Sequence, residues 1–136
     1  MMRPLTPGTV AQGVTVNVAF WIVAVLLAVF YLYAGGKKVA QSRERLQPMM
    51  GWVDRVPMPL VRFIGTAEVL GAAGMILPPL TGIAPWLAIA AAIGLALIQV
   101  GGIVVHVSRG ETRQTGLNIV LLATAVAVAW LGTTWL

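Results

Sequence analysis

Arg62-Phe63-Ile64-Gly65-Thr66-Ala67-Glu68-Val69-Leu70-Gly71-Ala72-Ala73-Gly74-Met75-Ile76-Leu77-Pro78-Pro79 is the stretch that decides the fold. Taken from Leu60 to Leu77 as a helix rising about 1.5 Å per residue, it crosses most of a hydrocarbon core roughly 30 Å thick. It begins near an arginine, carries a glutamate two turns in, and is dense in glycine and alanine. An ionisable side chain in a membrane helix is costly, so Glu68 is a functional candidate by default.

The composition agrees with a membrane chain. Of 136 residues 59% are hydrophobic and only 10% charged, and the mean hydropathy is +0.91. Soluble domains carry about 25% charged residues. The net charge is +5, but the basic residues fall between apolar runs. They therefore read as topology and anionic-lipid signals, and nucleic acid is not an expected partner. The absence of cysteine excludes a disulfide framework and iron–sulfur ligation. A single histidine excludes a bis-histidine haem within one chain, and leaves too few ligands for a metal centre. No covalently bound cofactor is expected.

The expected fold is all-α: an antiparallel bundle of four transmembrane helices in one domain, residues 14–136. Residues 1–13, with Pro4, Pro7, Gly8 and Gly13, read as an irregular tail. The helices are expected at about 14–34, 60–77, 85–107 and 116–136. Pro78-Pro79 should end the second helix, and Pro85 should begin the third, where its missing N–H costs nothing. The long loop 35–59 mixes charge with Leu46, Met49, Met50, Trp52 and Val56. It reads as a segment lying on the membrane surface, broken by Pro48 and Gly51. Small residues, among them Gly65, Gly71, Gly74, Gly94, Gly101 and Gly102, allow close helix approach in lipid.

Loops 35–59 and 108–115, with their flanks, hold Lys37, Lys38, Arg43, Arg45, Arg55, Arg62, Arg109 and Arg113, whereas the other side holds only Arg3. The positive-inside rule then makes both loops cytoplasmic and both termini external, in a multi-pass inner (plasma) membrane protein. Trp21, Trp86, Trp130 and Trp135 would form the outer aromatic belt, with Tyr31 and Tyr33 near the inner interface.

Glu68 and Gln99 each lie eight residues, about 12 Å, from the cytoplasmic end of their helices. Thr124 falls at a similar level, so the three are expected to share a layer. A second layer nearer the cytoplasm holds Lys38, Arg62, His106 and Asn118. Gln99 and His106, seven apart, share a helix face. Nearly all polar groups thus sit in one half of the bundle, which predicts a polar cavity there. Lys38, Arg62, Glu68, Gln99, His106 and Asn118 are the ligand-binding candidates, and Glu68 and His106 the proton-passing ones. Each also has a plain reading: Glu68 and Gln99 as interhelical pins, His106 and Asn118 as caps, Lys38 and Arg62 as snorkelling residues.

Two segments resemble the DoxX-like membrane proteins. Ala34-Gly35-Gly36-Lys37-Lys38-Val39 is similar to the Ala-Gly-x-x-Lys-Leu that ends their first helix, with valine in place of leucine. Arg62 to Pro78 resembles their Arg-x-x-Gly-x-x-Glu-Leu-x-Gly-Ala-x-Gly-Leu-x-x-Pro. The Leu80-Thr-Gly-Ile-Ala-Pro-Trp86 turn and His106 also fit, and the likeness runs from about Val16 to the C-terminus. The resemblance implies a four-helix membrane protein with Lys38, Arg62, Glu68 and His106 at marked positions. The family's name comes from a subunit of a thiosulfate:quinone oxidoreductase, and a distant branch acts as a membrane chaperone for receptor assembly.

Two functions are therefore expected from different classes. The first is a quinone- or lipid-linked component of a membrane redox system, with a quinone as diffusible ligand and a membrane or redox subunit as partner. In that reading Lys38 and Arg62 set the field or receive an anion. The second is a non-enzymatic scaffold or assembly factor that binds through loop 41–59 or its small-residue grooves. A proton or small-molecule transporter, requiring a homo-oligomer, is third.

Overall fold

The computed structural model describes residues 4–136. It is built of α1 (Pro7–Ala40), α2 (Arg43–Leu46), a 3₁₀ turn (Gly51–Asp54), α3 (Met58–Thr81), α4 (Leu87–Ser108) and α5 (Thr112–Trp135). The four long helices are each apolar and long enough to cross a membrane. They bundle in the order the sequence predicts, with boundaries that shift for local physical reasons.

The tail expected over residues 1–13 is helical from Pro7 onward; residues 1–3 lie outside the described residues. Pro7 occupies a first-turn position, where it is tolerated. Thr6 caps the helix, accepting from the Thr9 N–H while the Thr9 hydroxyl accepts from the Thr6 N–H. Gly35-Gly36 does not stop α1, which continues to Ala40. The last carbonyls of a helix need outside partners. Here Arg62 of α3 supplies one, donating to the Lys38 carbonyl at 2.7 Å and to that of Gln41.

Pro78 and Pro79 lie inside the last turn of α3. So close to the helix end their missing donors are cheap. The Thr81 hydroxyl donates to the Leu77 carbonyl at 2.8 Å, and Gly82, at φ 75°, takes the left-handed cap conformation. α4 begins at Leu87, two residues after Pro85, because Ala84–Trp86 form a tighter turn that accepts from Leu87, Ala88 and Ile89. α5 begins at Thr112, where Arg113 and Gln114 are good helix formers and extend it ahead of Gly116.

Glycine sets the closest approach. A Cβ on Gly65 would lie 2.8 Å from the Gly35 carbonyl oxygen, and one on Gly35 would lie 2.8 Å from that of Gly65. α1 and α3 therefore touch backbone to backbone, the contact that small residues permit in lipid. Elsewhere Gly71 packs on Leu95 and Gly74 on Ala91, while Gly132 packs on Ile89 and Gln99 meets Asn118. In both pairs numbering rises along one helix as it falls along the other.

The main core runs from Phe20, Ala24 and Tyr31 through Ala72, Met75, Leu95 and Val128. At the end far from the long loop, Phe20 meets Trp135 edge-on at 5.2 Å and Trp21 at 5.5 Å. A second small core of Leu46, Val53 and Val61 fastens the α1–α3 loop to α3.

Candidate functional site

Among the described residues, the polar and charged side chains that are buried are Glu68, Gln99 and His106, Glu68 most completely. All three line one cavity of about 590 Å³ in the loop end of the bundle. Lys38 and Asn118 line it too. Five of the six candidate residues are thus brought together.

Glu68 is 1% exposed. Its partner is Lys38, whose ammonium donates to Oε1 across the Gly35–Gly65 contact. The pairing follows from the close approach of α1 and α3. Lys38 lies beside Gly65, one turn nearer the loop end, and Glu68 lies beside Gly35, one turn farther from it. Helical side chains tilt toward their own N-terminus, so on these antiparallel helices the two lean toward each other. A buried ion pair is weak evidence for stability, but removing one partner leaves a costly charge.

Gln99 joins three helices. Its Nε2 donates to the Tyr31 hydroxyl at 2.6 Å, and its Oε1 accepts from Asn118 Nδ2 at 2.8 Å. Gly102 makes room for this, because a Cβ there would collide with the Asn118 amide. Tyr31 is wholly buried within the bundle, and sequence reasoning missed its contact with Gln99. The available signal was spacing: Tyr31 falls on the α1 face defined by Phe20, Ala24, Leu27 and Ala34.

Arg62 stands apart. It does not line the cavity, and its guanidinium is bound to the end of α1. Thr124 does not join the Glu68–Gln99 layer either. Its hydroxyl donates to the Val120 carbonyl of its own helix at 2.7 Å, a common resting place for threonine in a helix.

At the rim, His106 Nδ1 lies 3.2 Å from Glu111 Oε1, which also accepts from Arg109 Nε at 2.7 Å. Arg109 reaches on to Asp54 Oδ1 at 3.2 Å in the 3₁₀ turn. His106 first, then Arg109, holds the Glu111 carboxyl below its ordinary range. Glu111 likewise pushes Arg109 further toward its charged form. Nδ1 of His106 is engaged by a carboxylate, and the second ring nitrogen has no hydrogen-bond partner among the described residues. Glu111 was not foreseen, since in sequence it is one charge in a solvated turn.

Loop 41–57 supplies the cover. Met49, Met50, Gly51 and Trp52 line the cavity from above. Arg43 fastens the turn by donating to the Val53 carbonyl at 2.6 Å and that of Asp54 at 3.1 Å. The Lys38 ammonium lies 5.9 Å from the centre of the Trp52 ring. The loop thus breaks into short pieces near Pro48 and Gly51, as expected, and those pieces fold onto the bundle end.

Glu111 and Gln114 also line it, and most of the remaining lining is apolar, including Phe30, Ile64, Ile98 and Leu121. A largely apolar pocket with a few convergent polar groups is the usual form of a small-molecule site. The model of the DoxX-like family matches residues 22–128. The chain belongs to the DoxX-like family. The matched stretch contains all six candidate positions, from Lys38 to Asn118. No curated protein matches the chain, and no solved structure does. This DoxX-like chain is a membrane protein with four candidate spans.

Proposed function

We propose that this DoxX-like protein is a quinone- or lipid-linked component of a membrane redox system, and that the cavity holds the head group of an amphiphile. The observation that carries this reading is the lining itself. Glu68, Gln99, Asn118 and His106 offer acceptors and donors, while Met49, Met50, Trp52 and Phe30 offer aromatic and thioether surface. A planar quinone ring uses both: its oxygens take hydrogen bonds, and its faces favour sulfur and aromatic neighbours. The polyprenyl tail of such a molecule would leave toward lipid.

In this reading the loop end faces the cytoplasm of an inner-membrane protein, with both termini outside, because the lysines and arginines cluster there. Glu68 and His106 hold or pass protons to the bound ring. Electrons come from a partner subunit or a diffusible carrier, which the chain's own residues do not supply.

The test is quinone binding to purified protein in nanodiscs. Glu68→Gln should weaken binding at least about tenfold, the scale of one charge-assisted hydrogen bond, while the variant still inserts. Unchanged affinity in Glu68→Gln overturns the reading. The scaffold alternative draws less support, because the cover loop spends Leu46 and Val53 on its own α3. Stoichiometric cross-linking to another membrane protein through residues 41–59, with an empty cavity, would favour it instead.

A further inference from the structure

The charged side chains that line the cavity are paired with opposite charges. Lys38 donates to Glu68, and the pair has no net charge whether the shared proton rests on nitrogen or on oxygen. Arg109 is divided between Glu111 and Asp54. Arg43 and Arg62, the other guanidinium groups fixed near this end, are bound to backbone carbonyls. Lys37 lies over the ring of Tyr33, 4.9 Å from its centre, and does not itself line the cavity. Against this, the lining contains two carboxylates, Glu68 and Glu111. The one lysine of the lining, Lys38, has a carboxylate partner, as does Arg109 at the rim, and His106 is matched by Glu111.

An anion entering such a cavity loses its hydration and meets, among the described lining residues, no lysine or arginine without a carboxylate partner. It also approaches two carboxylates. Burying an unpaired charge costs several kcal/mol even after relaxation. A neutral head group pays no such cost and still finds the amides of Gln99 and Asn118. The unfilled acceptor positions in the site, Glu68 Oε2 and Asn118 Oδ1, favour a ligand that can also donate.

We infer that the cavity selects a neutral, planar, oxygen-bearing head group and rejects its anionic analogue, and that the Lys38–Glu68 pair sets this choice. The inference rests on the reading of the cavity as a ligand site. It replaces the expectation that Lys38 and Arg62 receive an anion. Glu68 is here a specificity residue acting through charge: it neutralises Lys38 as well as accepting a hydrogen bond.

Menadione and phthiocol share one naphthoquinone ring, but the hydroxyl of phthiocol is ionised at neutral pH. The chain has no cysteine, so neither probe is diverted into thiol addition. Binding of each to the full chain in nanodiscs is measured by quenching of tryptophan fluorescence. Wild type should favour menadione by at least about tenfold. Glu68→Gln frees the Lys38 charge, so phthiocol should gain affinity as menadione loses it, and the order should invert. Equal or tighter phthiocol binding by wild type overturns the inference and leaves the ligand-site reading standing. A wild-type preference that Glu68→Gln lowers equally for both probes also overturns it, since Glu68 would then act only as an acceptor. Failure of wild type to bind either probe overturns the ligand-site reading and the inference together. The wild-type ratio needs no variant, so a poorly folding Glu68→Gln leaves the first arm decisive.

Discussion

The two ends of the bundle use the same four helices differently. At the far end Phe20, Trp21 and Trp135 interlock edge to face, and Val128, Ala88 and Ala92 fill what remains. At the loop end Gly35 and Gly65 bring α1 and α3 into contact, yet the space toward α4 and α5 is left as a largely apolar cavity with a few convergent polar groups. Close packing serves stability, and a cavity forfeits contacts that its lining would otherwise make. The far end therefore reads as the part that holds the fold, and the loop end as the part that gives up packing for a ligand.

Truncation at the far end should give the largest loss of stability. Phe20→Ala removes a wholly buried ring and both aromatic contacts, and should cost about 3 kcal/mol or more. Thermal unfolding in detergent would show it, with ligand affinity at low temperature unchanged. If instead binding falls and stability does not, the division between the ends is wrong. Gly65→Val should come next, at about 1–3 kcal/mol, because its side chain would meet the backbone of Gly35. Gly36→Ala, where nothing lies within 4 Å, is the matched control and should be near neutral.

Gln99→Leu sharpens the comparison from the other side. It fills similar space but leaves Asn118 without its acceptor and Tyr31 without its donor. Interhelical hydrogen bonds in membranes average about 0.6 kcal/mol, so stability should change little. Quinone affinity should fall several-fold in the nanodisc assay. A stability loss as large as that of Phe20→Ala would make Gln99 a structural pin.

The smallest effect is one of pH. The Glu111 carboxyl is held below its ordinary value of 4.5 by His106 first and Arg109 second. Its stabilising contribution is then complete above that value and is lost as pH falls through the lower folded one. Thermal unfolding between about pH 3 and pH 6 should show an acid limb that is shallower in Glu111→Gln. Identical limbs would mean that the rim network does not fasten the cover loop.

The contrast between the ends was largely legible in the sequence. Hydropathy and spacing place four helices, and depth counting alone brings Glu68, Gln99 and His106 to one half. What spacing does not reveal is which groups satisfy each other. Arg62 heads the most informative segment, but its guanidinium bonds to carbonyls at the end of another helix, and no residue-type pattern reports a free carbonyl. Tyr31 reads from sequence only as an aromatic residue near the inner interface, and its contact with Gln99 depends on helix rotation. Glu111 and the cover loop depend on how two loops fold together, which periodicity does not encode. The boundary errors have the same root: Pro7, Pro78 and Pro79 are breakers only in helix interiors, and all three sit in terminal turns.

Native mass spectrometry of the detergent-purified protein, with extraction and identification of any bound small molecule, tests the central claim most directly. The account predicts a co-purifying neutral quinone or related isoprenoid at one per chain, lost in Glu68→Ala while the variant remains folded. A bundle that is empty in wild type, with Glu68→Ala altering only thermal stability, would contradict it and make the Lys38–Glu68 pair a structural contact.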